Sequence, residues 1–255
     1  MQAILYIGHG SRVPEATRQA RDFIEQCIKQ ISVPIQEICF LELAEPNILE
    51  GIERCVNKGA TNIAVQPVLL LAAKHIKRDI PLELEKAKQR FPNISIHYGG
   101  PLGVHENIVD ILAERIREKS PDKSKDAMVL LVGRGSSDPD IKKRMAQVAQ
   151  MLQNKYRFQS VKVCYLTAAR PSFKEGLEQA GSSGYSEVFV VPYLLFTGIL
   201  MKDIQKEIDN LKSYQPNFTL CQYLGYHSKL KDVLLERVKE LIPELGGKVH
   251  DPLSN

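Results

Sequence analysis

The chain carries the same segment twice, and that repeat constrains its fold more than any other feature. Gly8-His9-Gly10-Ser11 follows the apolar run Ala3–Ile7, and Gly133-Arg134-Gly135-Ser136 follows the apolar run Ala127–Val132. From Gly8 to Gly133 the offset is 125 residues. The same offset carries Phe40-Leu41 onto Tyr165-Leu166, Pro46 onto Pro171, Gly51 onto Gly176, Pro67 onto Pro192, Leu70 onto Leu195, Tyr98 onto Tyr223 and Gly100 onto Gly225. Copies that agree at glycines, prolines and apolar positions share a backbone. The period far exceeds the roughly 20–50 residues of a solenoid repeat. It therefore reads as a duplicated domain, 1–120 and 126–245, each of ordinary domain size, joined through the polar stretch Lys119–Lys125.

Each copy is a control for the other. Where they differ, the fold alone does not choose the residue. The first copy has His9, Glu42 and His75; at the same offset the second has Arg134, Thr167 and, without gaps, Leu200.

Within each copy the pattern alternates strand and helix. Ala3–Ile7, Glu37–Leu41, Ile63–Leu71 and Ile94–Tyr98 are short runs rich in Ile, Val, Leu and Tyr, which predicts buried strands. Between the first two runs, Ala16, Ala20, Phe23, Ile24, Cys27, Ile28 and Ile31 recur at three- and four-residue spacing and form one helix face. Asn47 is placed to cap a second helix that Gly59 ends, and Ile80-Pro81 opens a third. Strands separated by helices imply parallel pairing with right-handed crossovers. The expected fold class is α/β, with two tandem three-layer domains, each built on a mainly parallel four-stranded sheet.

Composition narrows the class of partner. With 44% hydrophobic and 25% charged residues the chain has the make-up of a globular protein. No apolar run approaches the roughly 18 residues of a membrane span, and Met1-Gln2-Ala3-Ile4-Leu5 shows no basic leader. The five cysteines include no C-x-x-C pair and fall mostly within apolar segments, as core residues do. A cytoplasmic protein is expected. The net charge of +4 suits a small anionic ligand and is too diffuse for nucleic acid.

His9 comes just after the first strand, Glu42 just after the second and His75 after the third. In an open parallel sheet these places line the crevice beyond the carboxyl ends of the strands, where such folds bind ligands. Two imidazoles and a carboxylate suit a divalent transition metal bound openly, with positions left for a substrate. They also suit proton abstraction, since imidazole titrates near about pH 6.5. No H-E-x-x-H spacing is present, and Gly133-x-Gly135 lacks the third glycine of a dinucleotide fingerprint. Among the other histidines, His97 falls opposite a glutamine at the offset of 125 and is expected to face solvent, while His105 and His227 follow the fourth strands.

The segments Ile7-Gly8-His9-Gly10-Ser11-Arg12, Phe40-Leu41-Glu42-Leu43-Ala44-Glu45-Pro46, Pro67–Asp79 and Gly133–Pro139 together resemble the class II tetrapyrrole chelatases. In that family, ferrochelatases and cobaltochelatases acting on sirohydrochlorin are siblings. The resemblance runs over nearly the whole chain. It implies two chelatase-like domains across a cleft, with the reactive set in the amino-terminal half. It also implies insertion of Fe²⁺ into sirohydrochlorin as two pyrrole protons leave, with cobalt insertion as the alternative and Co²⁺ or Ni²⁺ as further acceptable metals. The chain lacks the histidine-rich or iron–sulfur-type extension of some longer cobalt enzymes, which favours iron.

On this resemblance His9 is the proton acceptor and a metal ligand, His75 is the second ligand, and Glu42 removes a proton or holds the metal. Leu70, Leu71, Ala72 and Ala73 offer an apolar surface to the ring. Arg12 and Lys74, with Lys77, Arg78 and Arg134 nearby, are suited to its carboxylates, and Glu45 joins the substrate-binding set. The metal is a substrate, so no further cofactor is expected, and the partners are sirohydrochlorin and a divalent metal, with neither nucleic acid nor membrane and with the chain as a monomer.

Two other readings are open. A histidine after a first strand also suits a phosphohistidine phosphatase, but that chemistry needs convergent arginines, and only Arg12 is near His9. A carrier of metal or tetrapyrrole would want ligands in both halves, and the second half lacks them.

Overall fold

Apolar runs bounded by turn residues form two four-stranded sheets in which every neighbouring pair of strands is parallel. The computed structural model describes residues 1–73, 75–121, 126–211 and 216–243, with His75 described by its backbone alone. Residues 122–125 of the linker, Lys74 and the tail beyond Leu245 lie outside the described residues.

In the first half the elements run β1 (Gln2–Gly8), α1 (Pro14–Ile28), β2 (Ile35–Phe40), α2 (Ile48–Asn57), β3 (Asn62–Pro67), a π-helical turn (His75–Asp79), α3 (Ile80–Arg90), β4 (Ser95–Tyr98) and α4 (Glu106–Arg117). The sheet order is β2-β1-β3-β4. The second half repeats it with β5 (Ala127–Gly133), α5 (Pro139–Tyr156), β6 (Ser160–Tyr165), α6 (Phe173–Gly181), β7 (Glu187–Tyr193), α7 (Ile199–Asp209), β8 (Asn217–Leu220) and α8 (Ser228–Leu241), in the order β6-β5-β7-β8.

Local signals explain the boundaries. The Asn47 side chain accepts the Glu50 N–H at 3.0 Å while the Glu50 carboxylate accepts the Asn47 N–H at 2.9 Å, a capping box that starts α2. Ser172 and Glu175 repeat it at α6. Strand β3 stops at Pro67, four residues short of the apolar run's end at Leu71. Beyond Pro67 the backbone serves the loops instead: Val68 N donates to Ile7 O, and Leu69 and Leu70 carbonyls accept from Leu102 and Gly103. Leu70 and Leu71 are consequently loop residues, half-buried.

Alternate β1 residues Ala3, Leu5 and Ile7 join Cys39, Ile52, Val65, Ile80 and Leu84 in the core under α2 and α3. Helix α1 packs on β1 and β2, burying the predicted stripe Ala16, Ala20, Phe23, Ile24 and Cys27. All five cysteines are buried and free, and burial pushes thiols such as Cys27 up to about 12, which keeps them protonated.

Packing does not follow chain order. One compact unit comprises Met1–Gly103 with Lys231–Asn255, and the other Val104–Leu230. Helix α4 therefore completes the second unit, and most of α8 completes the first. The two helices are fastened alike: Arg237 of α8 donates to the Leu102 carbonyl at 3.2 Å, and Arg115 of α4 donates to the Leu224 carbonyl at 2.7 Å. Asp110 and Glu114 of α4 also meet Lys155, Tyr156, His227 and Lys229 of the second unit.

These pairings correct the register of the repeat. Val65 pairs with Tyr98, and its counterpart Val190 pairs with Leu220, so in the fourth strand the offset falls from 125 to 122. Tyr98 thus corresponds to Leu220 rather than Tyr223, and Gly103 rather than Gly100 corresponds to Gly225. His97 lies opposite Thr219 rather than a glutamine. The three additional residues belong to the first half and lie between β3 and β4, where Val65 and Tyr98 are 33 residues apart against 30 for Val190 and Leu220.

Candidate active site at the carboxyl ends of the first sheet

The first two strands deliver His9 and Glu42 side by side because the parallel ladder continues past them. Leu41 N donates to Gly8 O at 2.9 Å and Glu42 N to His9 O at 3.1 Å. Gly10 closes the cradle with φ +85°; a Cβ there would lie 1.7 Å from the Glu42 carbonyl oxygen, so only glycine lets the strands approach. His9 Nδ1 sits 3.5 Å from Glu42 Oε1 and 3.2 Å from Gly10 O, with side-chain exposures of 27% for His9 and 43% for Glu42. A histidine–carboxylate contact so open to solvent adds only ~0–1 kcal/mol to stability even when the imidazole is protonated. Its presence therefore needs a reason other than holding the fold.

The second unit has the same cradle with different side chains. Leu166 N donates to Gly133 O, Thr167 N donates to Arg134 O at 2.9 Å, and a Cβ on Gly135 would lie 1.9 Å from Thr167 O. Thr167 there turns its hydroxyl onto the Arg134 carbonyl at 3.0 Å. One backbone thus carries an imidazole–carboxylate pair in the first unit and an arginine with a threonine in the second.

His75 begins a π-helical turn that leads directly into α3, and its side chain lies outside the described residues. The turn is anchored from within: Ile76 and Ile80 are buried, and the Tyr98 hydroxyl donates to the Ile76 carbonyl at 2.9 Å. Burial raises the Tyr98 pKa above its ordinary value, so the phenol keeps the proton it donates. A π-turn of this kind within a helical run is a frequent mark of functional sites.

The remaining candidates fall around this rim. Leu70, Leu71, Ala72 and Ala73 are half-buried, and Ala72 packs on the core. Arg12 is exposed at the entry to α1. Glu45 is exposed as well, and its backbone carbonyl accepts from Arg21, whose guanidinium covers the Phe40 ring at 5.3 Å. Among the described residues the hydrogen bonds and ion pairs bring together His9 and Glu42, and they do not join the Arg12 or Glu45 side chain to that pair. Among the described residues no group of three or more His, Cys, Asp or Glu could hold a metal ion. His9 and Glu42 are the potential donor side chains that the described contacts bring together, 3.5 Å apart.

His105 and His227 have structural roles that patterning alone did not reveal. His105 Nδ1 accepts the Asn107 N–H at 3.1 Å and caps α4, while His227 Nδ1 accepts the Lys229 N–H at 3.3 Å. At the corrected offset of 122 these two are counterparts, and a histidine kept in both halves is one the fold uses. His97 is exposed, as expected, and lies 3.3 Å from Ser95 Oγ. Among the described residues no helix is long and apolar enough to cross a membrane.

Comparison with known proteins agrees with this duplicated arrangement. The CbiX family model matches twice, over residues 3–119 and 128–241. A sirohydrochlorin ferrochelatase of Priestia megaterium is 52% identical over 97% of this chain and 93% of its own length. A sirohydrochlorin cobaltochelatase of the same organism is 36% identical over 94% of this chain and 80% of its own. The structure of SirB from Bacillus subtilis with Fe³⁺ superposes with a TM-score of 0.87 at 45% identity, covering 97% of this chain and 98% of that one. The chain belongs to the CbiX family of sirohydrochlorin chelatases.

Proposed function

We propose that the chain is a sirohydrochlorin ferrochelatase, a lyase that inserts Fe²⁺ into sirohydrochlorin to form siroheme with release of two protons. The observation that carries this reading is the solvent-open His9–Glu42 pair on a backbone cradle that holds Arg134 and Thr167 in the second unit. Iron is favoured over cobalt because the ferrochelatase relative is 52% identical and the cobaltochelatase relative 36%.

The macrocycle brings two pyrrole N–H groups, and each nitrogen must lose its proton as it gains the metal. His9 accepts a proton through an imidazole that works near neutral pH, and it also serves as a metal ligand. Its carboxylate neighbour Glu42 favours the imidazolium that results and either passes the proton to solvent or holds the incoming ion. His75 is the second imidazole ligand. An open site with few ligands suits a metal that must leave for the ring, because a closed four-ligand shell would retain it. Leu70, Leu71, Ala72 and Ala73 meet the flat apolar ring, while Arg12 and Lys74 meet its carboxylates and Glu45 borders them. The reaction needs no cofactor besides the substrate metal. The repeat units 1–120 and 126–245 act within one monomeric, cytoplasmic chain, the first carrying the chemistry.

Anaerobic mixing of the protein with sirohydrochlorin and Fe²⁺ tests this reading through the absorption spectrum. Conversion to the siroheme spectrum faster than the uncatalysed rate supports it. Parallel reactions with Co²⁺ and Ni²⁺ rank the metals. Binding of the macrocycle without acceleration would leave a tetrapyrrole carrier instead.

A further inference from the structure

Leu43 has two properties that the fold does not require together. It is a leucine in the left-handed region, with φ +59°, and it is 51% exposed. The conformation itself is architectural. Both halves turn back from their second strand in the same way, with Phe40 N bonded to Pro46 O in one and Tyr165 N to Pro171 O in the other, and Ala168 holds φ +48° at the position of Leu43. The turn therefore demands positive φ in each half, a region that favours glycine over any residue with a Cβ.

The side chain is a different matter. Ala168 presents only a methyl group, whereas Leu43 presents an isobutyl group to solvent. Leu41, two residues earlier, packs on the core, and Leu43 is not part of that cluster. At the same backbone conformation leucine exposes more apolar surface than Ala168 does, and it lies outside the core cluster that Leu41 joins. The position immediately follows Glu42, the carboxylate of the site, so an apolar side chain exposed here stands beside the groups that meet the substrate. The half-buried apolar residues Leu70 and Leu71 lie on the same rim.

We propose that Leu43 is a substrate-binding residue, the apolar contact on which one face of the planar macrocycle rests beside Glu42 and His9. This rests on the reading of the chain as a sirohydrochlorin chelatase and adds a residue to it. The left-handed turn fixes the isobutyl group on a short, hydrogen-bonded loop, so a ring set against it is held in register with the two groups that receive its protons. A flexible apolar side chain would bind without aligning.

The test uses Leu43→Gly and Leu43→Asn, both at ease in the left-handed region, with Leu43→Met as the conservative variant and Ala168→Gly as the second-unit control. Equilibrium binding of sirohydrochlorin is followed by fluorescence, binding of Co²⁺ alone by calorimetry, and turnover with Fe²⁺ by absorbance. Covering a half-exposed leucine is worth roughly a five- to tenfold change in affinity. The Gly and Asn variants should therefore raise Kd and KM for the macrocycle by about that factor. They should leave Co²⁺ affinity unchanged and melt no lower than the parent, and Met should restore most of the affinity. Ala168→Gly should leave macrocycle affinity where it is. Unchanged macrocycle affinity in both Leu43 variants overturns the proposal and leaves the chelatase reading intact. A parent protein that binds no sirohydrochlorin overturns both.

Discussion

Replacing Gly10 by alanine separates what the cradle does for the fold from what it does for chemistry. The added Cβ would sit 1.7 Å from the Glu42 carbonyl oxygen, and contacts below 3.0 Å do not occur, so the two strand ends must part by at least 1.3 Å. The opposing atom is backbone, which cannot swing aside as a side-chain tip would. A φ of +85° adds about 1–2 kcal/mol for a residue with a Cβ, and overpacking of this kind adds about 1–3 kcal/mol more. The sum, roughly 2–5 kcal/mol, lowers the thermal midpoint by roughly 5–20 °C for a chain of this size.

Gly135→Ala meets nearly the same obstacle, at 1.9 Å from Thr167 O with φ +90°, and should lose comparable stability. Insertion rates, measured well below both midpoints, should then diverge. A displacement near 1 Å of paired reactive groups costs about 10²-fold in rate, so Gly10→Ala should fall by that order while Gly135→Ala stays within a few-fold of the parent. Gly100→Ala, with nothing within 4 Å of its Cβ, is the neutral control. Calorimetric melts and an absorbance assay of metal insertion suffice. A Gly10→Ala protein with parental midpoint and rate would refute the close-approach argument, and equal rate losses in the Gly10 and Gly135 variants would refute a single reactive half.

His9→Ala should remove most metal insertion while shifting the thermal midpoint by no more than about 2 °C, because a solvent-open pair contributes little to folding; near-parental turnover would end its assignment as the base. Glu42→Ala should slow insertion far more than Thr167→Ala, measured side by side on the same macrocycle. Tyr98→Phe deletes the hydroxyl that anchors the π-turn at Ile76 O and should destabilise by about 1 kcal/mol while lowering insertion, as the backbone of His75 loosens. Acid should weaken the second unit. Lys229 and His227 hold Glu114 below its ordinary range. Burial pushes Asp110 up, but hydrogen bonds from Lys155 and Tyr156 and the nearby ammonium charges outweigh it, so its pKa also falls. Depressed carboxylates contribute stability that is present above their unfolded pKa of about 4 and is lost as pH falls through the lower folded values. Melts of the parent should therefore drop faster below pH 4 than those of Asp110→Asn/Glu114→Gln, which starts lower and titrates less.

Much of this was legible in the chain. Alternating apolar runs and helical stripes set the α/β class, and the capping residues Asn47 and Ser172 lie where helices start. His9 and Glu42 were legible because the second copy dispenses with both on the same backbone. The misreadings have physical causes. The run from Ile63 to Leu71 is apolar throughout, but strand pairing ends at Pro67, since the following carbonyls are taken by Leu102 and Gly103. The match of Tyr98 with Tyr223 is a coincidence of residue type, removed by the strand register that pairs Val65 with Tyr98 and Val190 with Leu220.

The sequence by itself determined the duplication, the fold class and which half holds the reactive residue types, because glycines, prolines and hydrophobic periodicity act locally and are visible at fixed spacing. Only the tertiary structure decided that α4 completes the second unit and α8 the first, that His105 and His227 cap helices, and that His9 Nδ1 lies 3.5 Å from Glu42 Oε1. Those outcomes depend on contacts between residues far apart in the chain. Arg237 on the Leu102 carbonyl is one, and the ladder that continues from Gly8 and His9 to Leu41 and Glu42 is another. Local patterning does not encode such pairings, because the partners are brought together only once the strands have been ordered and the helices packed against them.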